Sequence, residues 1–399
     1  MKKLIALLLI AVLALSAAAC SSQPAGTEAP AEGTEAAAPA DGAKVVKIGV
    51  FEPASGDNGA GGKQETLGVQ YANKVQPTVE IGGETYNVEL VIVDNESSND
   101  KAPTAAANLV AQNVSIVLGS YGSGVSIAAG DVFNKAGIPA MGITCTNPQV
   151  TNGVDCYFRI CFLDPFQGSV LAKYAWDNGV RTAYTLAELG NAYDLGLASS
   201  FKTAFEALGG KVVPENFQKD TADFTSFITN AKNSGAEAIF APTSISYAQL
   251  IIEAAATQKV GIPLYAGDTW DSNVVLEAAK GKDVAVNITT FYQEGGNKEF
   301  DDGFKAWLNA DQTKLTNNGG NDIVAAVSAM GYDAYFTAIE AIKAANSTDP
   351  AEITKALWNV DYTGVTGEIK FDGDKGDAVR SVAYVKAADT ESGAWKFVK

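Results

Sequence analysis

One feature limits this chain more than any other: from residue 45 to about 290, short apolar runs alternate with amphipathic stretches, twice over. Apolar runs at 45–51, 88–94, 114–118 and 138–143 have strand length and little polar interruption. Between them, 64–75, 102–112 and 125–135 repeat their apolar residues at helical spacing. The pattern restarts with helices at 167–178, 193–208, 224–234 and 247–257. Strands at 181–186, 211–214, 236–241, 264–266 and 284–290 lie between and after them. Near-continuous apolar strands are buried on both faces, and amphipathic helices between them supply the cover. The predicted fold is therefore α/β, with two doubly wound parallel-sheet lobes in series. Later helices are expected near 298–310, 323–345 and 351–360. The last carries Asp349 as N-cap, Pro350 in the first turn and Glu352 three residues after the cap. Short strands near 367–371, 382–386 and 395–398 close the chain. Several crossings between the lobes create a cleft, and ligands of open α/β sheets bind beyond the carboxyl ends of the strands.

The first 44 residues do not belong to this pattern. Met1-Lys2-Lys3 precedes an apolar run over 4–19, and Leu15-Ser16-Ala17-Ala18-Ala19-Cys20 follows the form of a bacterial lipobox. Residues 1–19 are thus expected to be a removed signal peptide, with Cys20 the lipidated new N-terminus. Residues 20–44 hold no aromatic side chain and read as a tether. Two acyl chains on Cys20 would attach the protein stably to the outer face of a membrane.

Composition narrows the function. The 399 residues contain no histidine, so a Ser-His-Asp triad, a Cys-His pair and an HExxH zinc site are excluded. The net charge is −17, of which −16 falls on the body after the tether, and this argues against nucleic acid as a partner. No cofactor or metal motif is present. A binding protein, or an enzyme built on carboxylates, lysines or metals held by oxygen, remains.

The loops at the strand ends carry the candidate chemistry. Gly119-Ser120-Tyr121-Gly122-Ser123-Gly124 leads into a helix. Its backbone N–H groups and the Ser123 hydroxyl suit an anion. Thr144-Cys145-Thr146 offers two hydroxyls beside the same end of the sheet. Gly267-Asp268-Thr269-Trp270 sets a carboxylate next to an aromatic ring, which suits an ammonium group. Glu188 to Tyr193 and Pro242-Thr243-Ser244 follow two other strands. Each loop alone could be ordinary turn or cap chemistry. Together they would hold a zwitterion, its carboxylate on one lobe and its ammonium on the other.

The chain resembles the type I periplasmic binding proteins, specifically the branched-chain amino-acid receptors of ABC importers. The resemblance covers about 45–399. It is carried by Lys47-Ile48-Gly49-Val50 with Ser55-Gly56, by Leu118-Gly119-Ser120-Tyr121-Gly122-Ser123, and by Ala136-Gly137-Ile138-Pro139. Thr146-Asn147-Pro148, the stretch from Phe158 to Gly168, Tyr193 with Gly196, and Gly267-Asp268 with Trp270-Asp271-Ser272 continue it. It implies a Venus-flytrap fold with a three-segment hinge near 162–166, 290–296 and 345–362. The N-terminal lobe would be 45–163 plus 291–346, and the C-terminal lobe 164–290 plus 347–399. It implies that Ser123, backbone amides near Gly122, and Thr146 bind a ligand carboxylate. The Thr144 carbonyl and Asp268 would take the ammonium, with Tyr193 lining the cleft. The implied role is a monomeric, lipid-anchored, non-enzymatic receptor that hands an amino acid to a membrane permease and its ATPase. A ligand-sensing receptor for an amide or other small polar solute is the alternative.

Two departures bear on the ligand. The loop 52–63 is glycine-rich and lacks an aromatic residue that many members place on the ligand, and Ser244 falls near a position where leucine-type receptors have tyrosine. Tyr121 and Trp270 could supply the missing contact area. For Cys145 and Cys156, a disulfide and two buried thiols both stay open; Cys161 reads as core.

Overall fold

The computed structural model describes residues 44–371 and 375–398. The proposed signal peptide, Cys20 and the tether up to residue 43 lie outside the described residues. No described helix is long and apolar enough to cross a membrane.

The first lobe is built on β1 (Val45–Glu52), α1 (Gly59–Val75), β2 (Thr78–Ile81), β3 (Glu84–Asp94), α2 (Ala102–Ala111), β4 (Ile116–Leu118), α3 (Ser123–Ala136), β5 (Ala140–Gly142) and β6 (Tyr157–Arg159). Its six-stranded sheet runs β2-β3-β1-β4-β5-β6, parallel except for the edge strand β2, which pairs antiparallel with β3. The β2–β3 hairpin was not expected from the sequence. It turns at Gly82-Gly83, both at positive φ, which glycine adopts without steric cost.

The second lobe follows with α4 (Asp164–Asp177), β7 (Thr182–Glu188), α5 (Ala192–Ala207), β8 (Lys211–Phe217), α6 (Thr225–Asn233), β9 (Ala238–Phe240), α7 (Ile245–Gln258), β10 (Leu264–Ala266), α8 (Asn273–Ala279) and β11 (Val286–Thr290). The chain then returns to the first lobe through α9 (Lys298–Asn309), α10 (Gln312–Asn317), α11 (Ala326–Ala345), α12 (Pro350–Leu357) and the antiparallel hairpin β12 (Asp361–Gly364) and β13 (Gly367–Lys370). It ends in β14 (Tyr384–Asp389) and β15 (Ala394–Phe397), which extend the second sheet antiparallel, in the order β15-β14-β11-β10-β9-β7-β8.

Each lobe closes around its own apolar core. Val46, Ile48 and Val50 of β1 alternate toward a cluster with Met330, Ile339 and Ile342 of α11. Helices α1 and α11 approach so closely that a Cβ on Gly68 would stand 1.9 Å from the Ser328 carbonyl oxygen, and one on Gly331 2.3 Å from that of Glu65. Glycine at these two positions is what lets the backbones touch. In the second lobe Leu186, Ile239, Leu264 and Ile288 line one face of the sheet together with Ile251 and Ile252 of α7.

The expected assignment of 347–399 to the C-terminal lobe does not fit the packing. Ile353, Leu357, Val360, Ile369, Phe371 and Ala378 all belong to the first lobe's core. Helix α12 starts on Asp349, whose Oδ1 accepts from the N–H groups of Ala351 and Glu352, and its apolar stripe lies against α11. The last crossing therefore falls after Ala378 and before β14, not near 345–362. The other two crossings run from β6 into α4 and from β11 toward α9. Their rings meet: Phe162 and Phe291 stack with centroids 4.1 Å apart.

Candidate functional site

In both sheets the strand order reverses beside the first strand of the lobe, between β1 and β4 and between β7 and β9. Loops diverge at such a reversal and leave a crevice at the carboxyl ends of the strands. The two crevices face each other. A cavity of about 220 Å³ lies between them, bounded by the loops after β1, β3 and β4 on one side and after β7, β9 and β10 on the other. Of the site residues expected from sequence, Tyr121, Gly122, Ser123, Tyr193 and Ser244 line it.

The first-lobe wall is the start of α3. Gly122 is its N-cap and no side chain caps it, so the first amides of the helix are left to other acceptors. The Ser123 hydroxyl oxygen accepts from the Asn147 N–H at 3.2 Å, which leaves its own proton uncommitted. The loop carrying Asn147 is fixed from below by Arg159. This guanidinium is fully buried, donates to the carbonyls of Cys145 and Asn147, and pairs with Asp377 at 2.6 Å. Asn147 caps the short turn at Pro148 through its side chain. This scaffold presents hydroxyl and N–H donors and no charge, which suits a carboxylate.

The second-lobe wall is a hydrogen-bond network around one acid. Asp268 is 2% exposed. Its Oδ1 accepts from Gln167 Nε2 at 2.9 Å and from the Tyr193 hydroxyl at 3.0 Å. Gln167 Nε2 also lies 3.3 Å from Thr146 Oγ1, and Gln167 Oε1 accepts from Thr289 at 2.8 Å. Burial pushes the Asp268 carboxyl up to about 7, with the nearby Asp164 carboxyl adding to the shift and the bonds from Gln167 and Tyr193 opposing it. Thr146 and Asp268 therefore sit one residue behind the cavity, joined by Gln167, and Tyr193 stands between the cavity and Asp268.

Thr144 turns away from the cleft. Its hydroxyl donates to Glu65 Oε1 at 2.8 Å. Glu65 in turn lies beside Glu52, and burial raises both carboxyls, with Glu65 adding to the rise at Glu52. Burial and a like charge nearby both favour the protonated form of a carboxyl. Glu52 Oε2 accepts from the Tyr121 N–H at 2.7 Å, which fixes the strand-end loop. Trp270 is not at the cavity: it is fully buried in the second lobe's core, its indole N–H donating to the Thr243 carbonyl at 3.1 Å. The expectation that it adds ligand contact area is thereby corrected, because its ring is spent on packing. Cys145, Cys156 and Cys161 are all free and buried, so no bridge joins Cys145 to Cys156.

The lobes meet directly around the cavity. The Tyr121 hydroxyl donates to the Thr269 carbonyl at 3.1 Å, Asn58 Nδ2 to Ser244 Oγ at 3.3 Å, and the Ser246 hydroxyl to Asp57 at 2.9 Å. Glu52, Asn58, Glu65 and Gln167 were not singled out from sequence. Glu52 and Asn58 follow a strand and could have been found by the rule that found Ser123. Glu65 and Gln167 lie inside helices, where a polar residue reads as a solvated face. Among the described residues no group of acids and cysteines is arranged to hold a metal ion.

Known proteins share this arrangement. A family model described as periplasmic binding protein matches residues 45–393. The Leu/Ile/Val-binding protein homolog 1 of Brucella melitensis is 29% identical over 336 residues, covering 83% of this chain and 87% of that protein. The leucine-binding protein LivK of Thermotoga maritima superposes with a TM-score of 0.78 at 29% identity, covering 89% of this chain and 98% of LivK. A solute-binding protein of R. palustris in complex with benzoate shares the fold, with a TM-score of 0.75 at 21% identity and 89% and 95% covered. The family consists of transporter substrate-binding proteins rather than enzymes. Two facing parallel-sheet lobes, a cavity at both switch points and a match across nearly the whole body make the chain a member of the type I periplasmic binding proteins, of the branched-chain amino-acid receptor type.

Proposed function

We propose that the protein is the extracytoplasmic solute-binding component of an ABC importer, that it captures an amino acid in the interlobe cavity, and that it delivers it to a membrane permease with its ATPase. In this reading Cys20 carries the lipid anchor and the receptor acts as a monomer. The observation that carries it is the pairing of two unlike walls: uncommitted donors of Ser123 and the α3 start on one side, the Tyr193–Asp268 pair on the other. The carboxylate would take the Ser123 hydroxyl and the amides after Gly122. The ammonium would reach Asp268 as Tyr193 gives way, with Thr144 and Thr146 held close behind. A relative named for Leu, Ile and Val, and a neighbour named for leucine, support an amino acid as ligand. Closure around the solute through the three crossings would couple occupancy to docking on the permease.

A second reading, a small polar solute without an ammonium group, sensed or imported, is favoured by one observation: Tyr193 and Gln167 already donate to Asp268 Oδ1. A thermal-shift screen of the purified protein separates the two. An amino acid at a hundred times its Kd adds about 2.7 kcal/mol of stability. Shifts from benzoate or amides, with silence from every amino acid, would replace the first reading by the second.

A further inference from the structure

We propose that the cleft selects an amino acid with a short polar side chain over leucine, isoleucine or valine, and that Tyr121 sets this choice by filling the apolar end of the cleft. The proposal rests on the amino-acid reading above and narrows it.

Tyr121 takes space that a side chain on the facing helix would otherwise use. A Cβ on Gly61 would stand 2.6 Å from the Tyr121 ring carbons Cε2 and Cζ and 2.9 Å from its hydroxyl. Glycine at this position of α1 is thus the counterpart of the ring. The ring leaves its own lobe and joins the apolar cluster of the second lobe, which includes Trp270 and Ile245. Its hydroxyl then reaches the Thr269 carbonyl across the cleft. With the lobes in contact, the apolar surface that could receive a branched side chain is covered by the protein itself.

What remains is polar. Nineteen of the described residues line the cavity, and among these only Val125 and Leu189 are aliphatic. Leu189 is 43% exposed, so it offers a rim and not a pocket. Asn58, Ser123, Ser244 and Thr269 line the cavity, together with Asp57 and Glu188 from opposite lobes. Ser244 Oγ accepts from Asn58, so its own proton is free to donate to a ligand hydroxyl or carbonyl. An isobutyl group there would gain little from leaving water and would leave these groups without partners. A site built to hydrogen-bond its ligand rejects the apolar analogue strongly for that reason.

Isothermal titration of the purified protein with serine, threonine and asparagine against leucine, isoleucine and valine tests this. The expected result is at least tenfold tighter binding of the best polar amino acid. Tyr121→Phe keeps the ring and should hold that ratio within about threefold. Tyr121→Ala empties the end of the cleft and should reduce the ratio to threefold or less. Should Tyr121→Ala melt below the assay temperature, Ser244→Ala serves instead, with an expected fall of at least threefold in the polar preference. Tighter or equal binding of a branched-chain amino acid by the unaltered protein would overturn the inference and leave the amino-acid reading standing. So would a ratio unmoved by Tyr121→Ala or, in its stead, Ser244→Ala. Binding of no amino acid from either group would overturn both.

Discussion

The two walls of the cleft are made in opposite ways. On the first lobe the donors are idle: α3 begins uncapped, and Ser123 accepts a hydrogen bond while its own proton is unused. On the second lobe the acid is already engaged: Asp268 Oδ1 is held by Gln167 and Tyr193, and burial keeps its proton affinity near neutrality. The difference shows how a buried acid can wait for a cation. An uncapped helix start is satisfied by water until an anion arrives, whereas a dry carboxylate without a cation must be hydrogen-bonded or protonated. In the proposed reading the first wall is preformed, and the second changes its charge state when an ammonium group binds.

The largest effect should come from removing what preforms the first wall. Arg159→Ala leaves Asp377 unpaired and the carbonyls of Cys145 and Asn147 without their donor. Breaking such a pair destabilises by about 3–5 kcal/mol. A drop in Tm of many degrees is expected, and a variant that melts with the parent would show the loop to be held by other contacts. On the second wall, Asp268→Asn removes the charge and keeps the shape. A charge-assisted bond contributes about 1.5–3 kcal/mol, so an amino-acid ligand should weaken by roughly tenfold to more than a hundredfold. Calorimetry giving equal affinity would remove Asp268 from the site.

The pH dependence follows from the same contrast. The folded carboxyl of Asp268 sits near 7, above its ordinary range, so below that pH the unliganded site is protonated. An ammonium ligand must expel this proton, so affinity falls as pH falls. Between pH 7.5 and 5.5 the loss should approach roughly 25-fold. A carboxylic acid lacking the amine should show no such loss. Ser123→Ala comes last: it removes one hydrogen bond to the ligand carboxylate while the amides after Gly122 remain, the low end of about 1.5–3 kcal/mol, a rise in Kd of roughly tenfold at every pH. A pH-dependent effect of Ser123→Ala would break the division of labour between the walls.

Much of this was legible in the sequence, for identifiable reasons. The central strands are unbroken apolar runs because both faces of their sheets are covered, and the loops that follow them line the cavity. Ser123, Tyr193 and Ser244 were reached in this way. The edge hairpin of β2 and β3 was missed in part because one side of its strands faces solvent, so Glu80, Glu84 and Glu89 interrupt the apolar pattern. The last crossing was misplaced because the stripe of Ile353 and Leu357 could have packed on either lobe. Glu52 and Glu65 gave no signal as a pair, since the rise of both carboxyls depends on burial that no local pattern records. Trp270 was read as a ligand contact because aromatic residues beside an acid suit a cation, whereas its depth is a tertiary property.

The central claim is that both ends of a zwitterion are needed, one for each wall. It is tested most directly by titrating the protein with its best amino acid, with the corresponding amine lacking the carboxylate, and with the corresponding acid lacking the amine. The amino acid should bind at least a hundredfold tighter than either fragment at pH 7.5. An acid fragment that binds as tightly as the whole amino acid would contradict it.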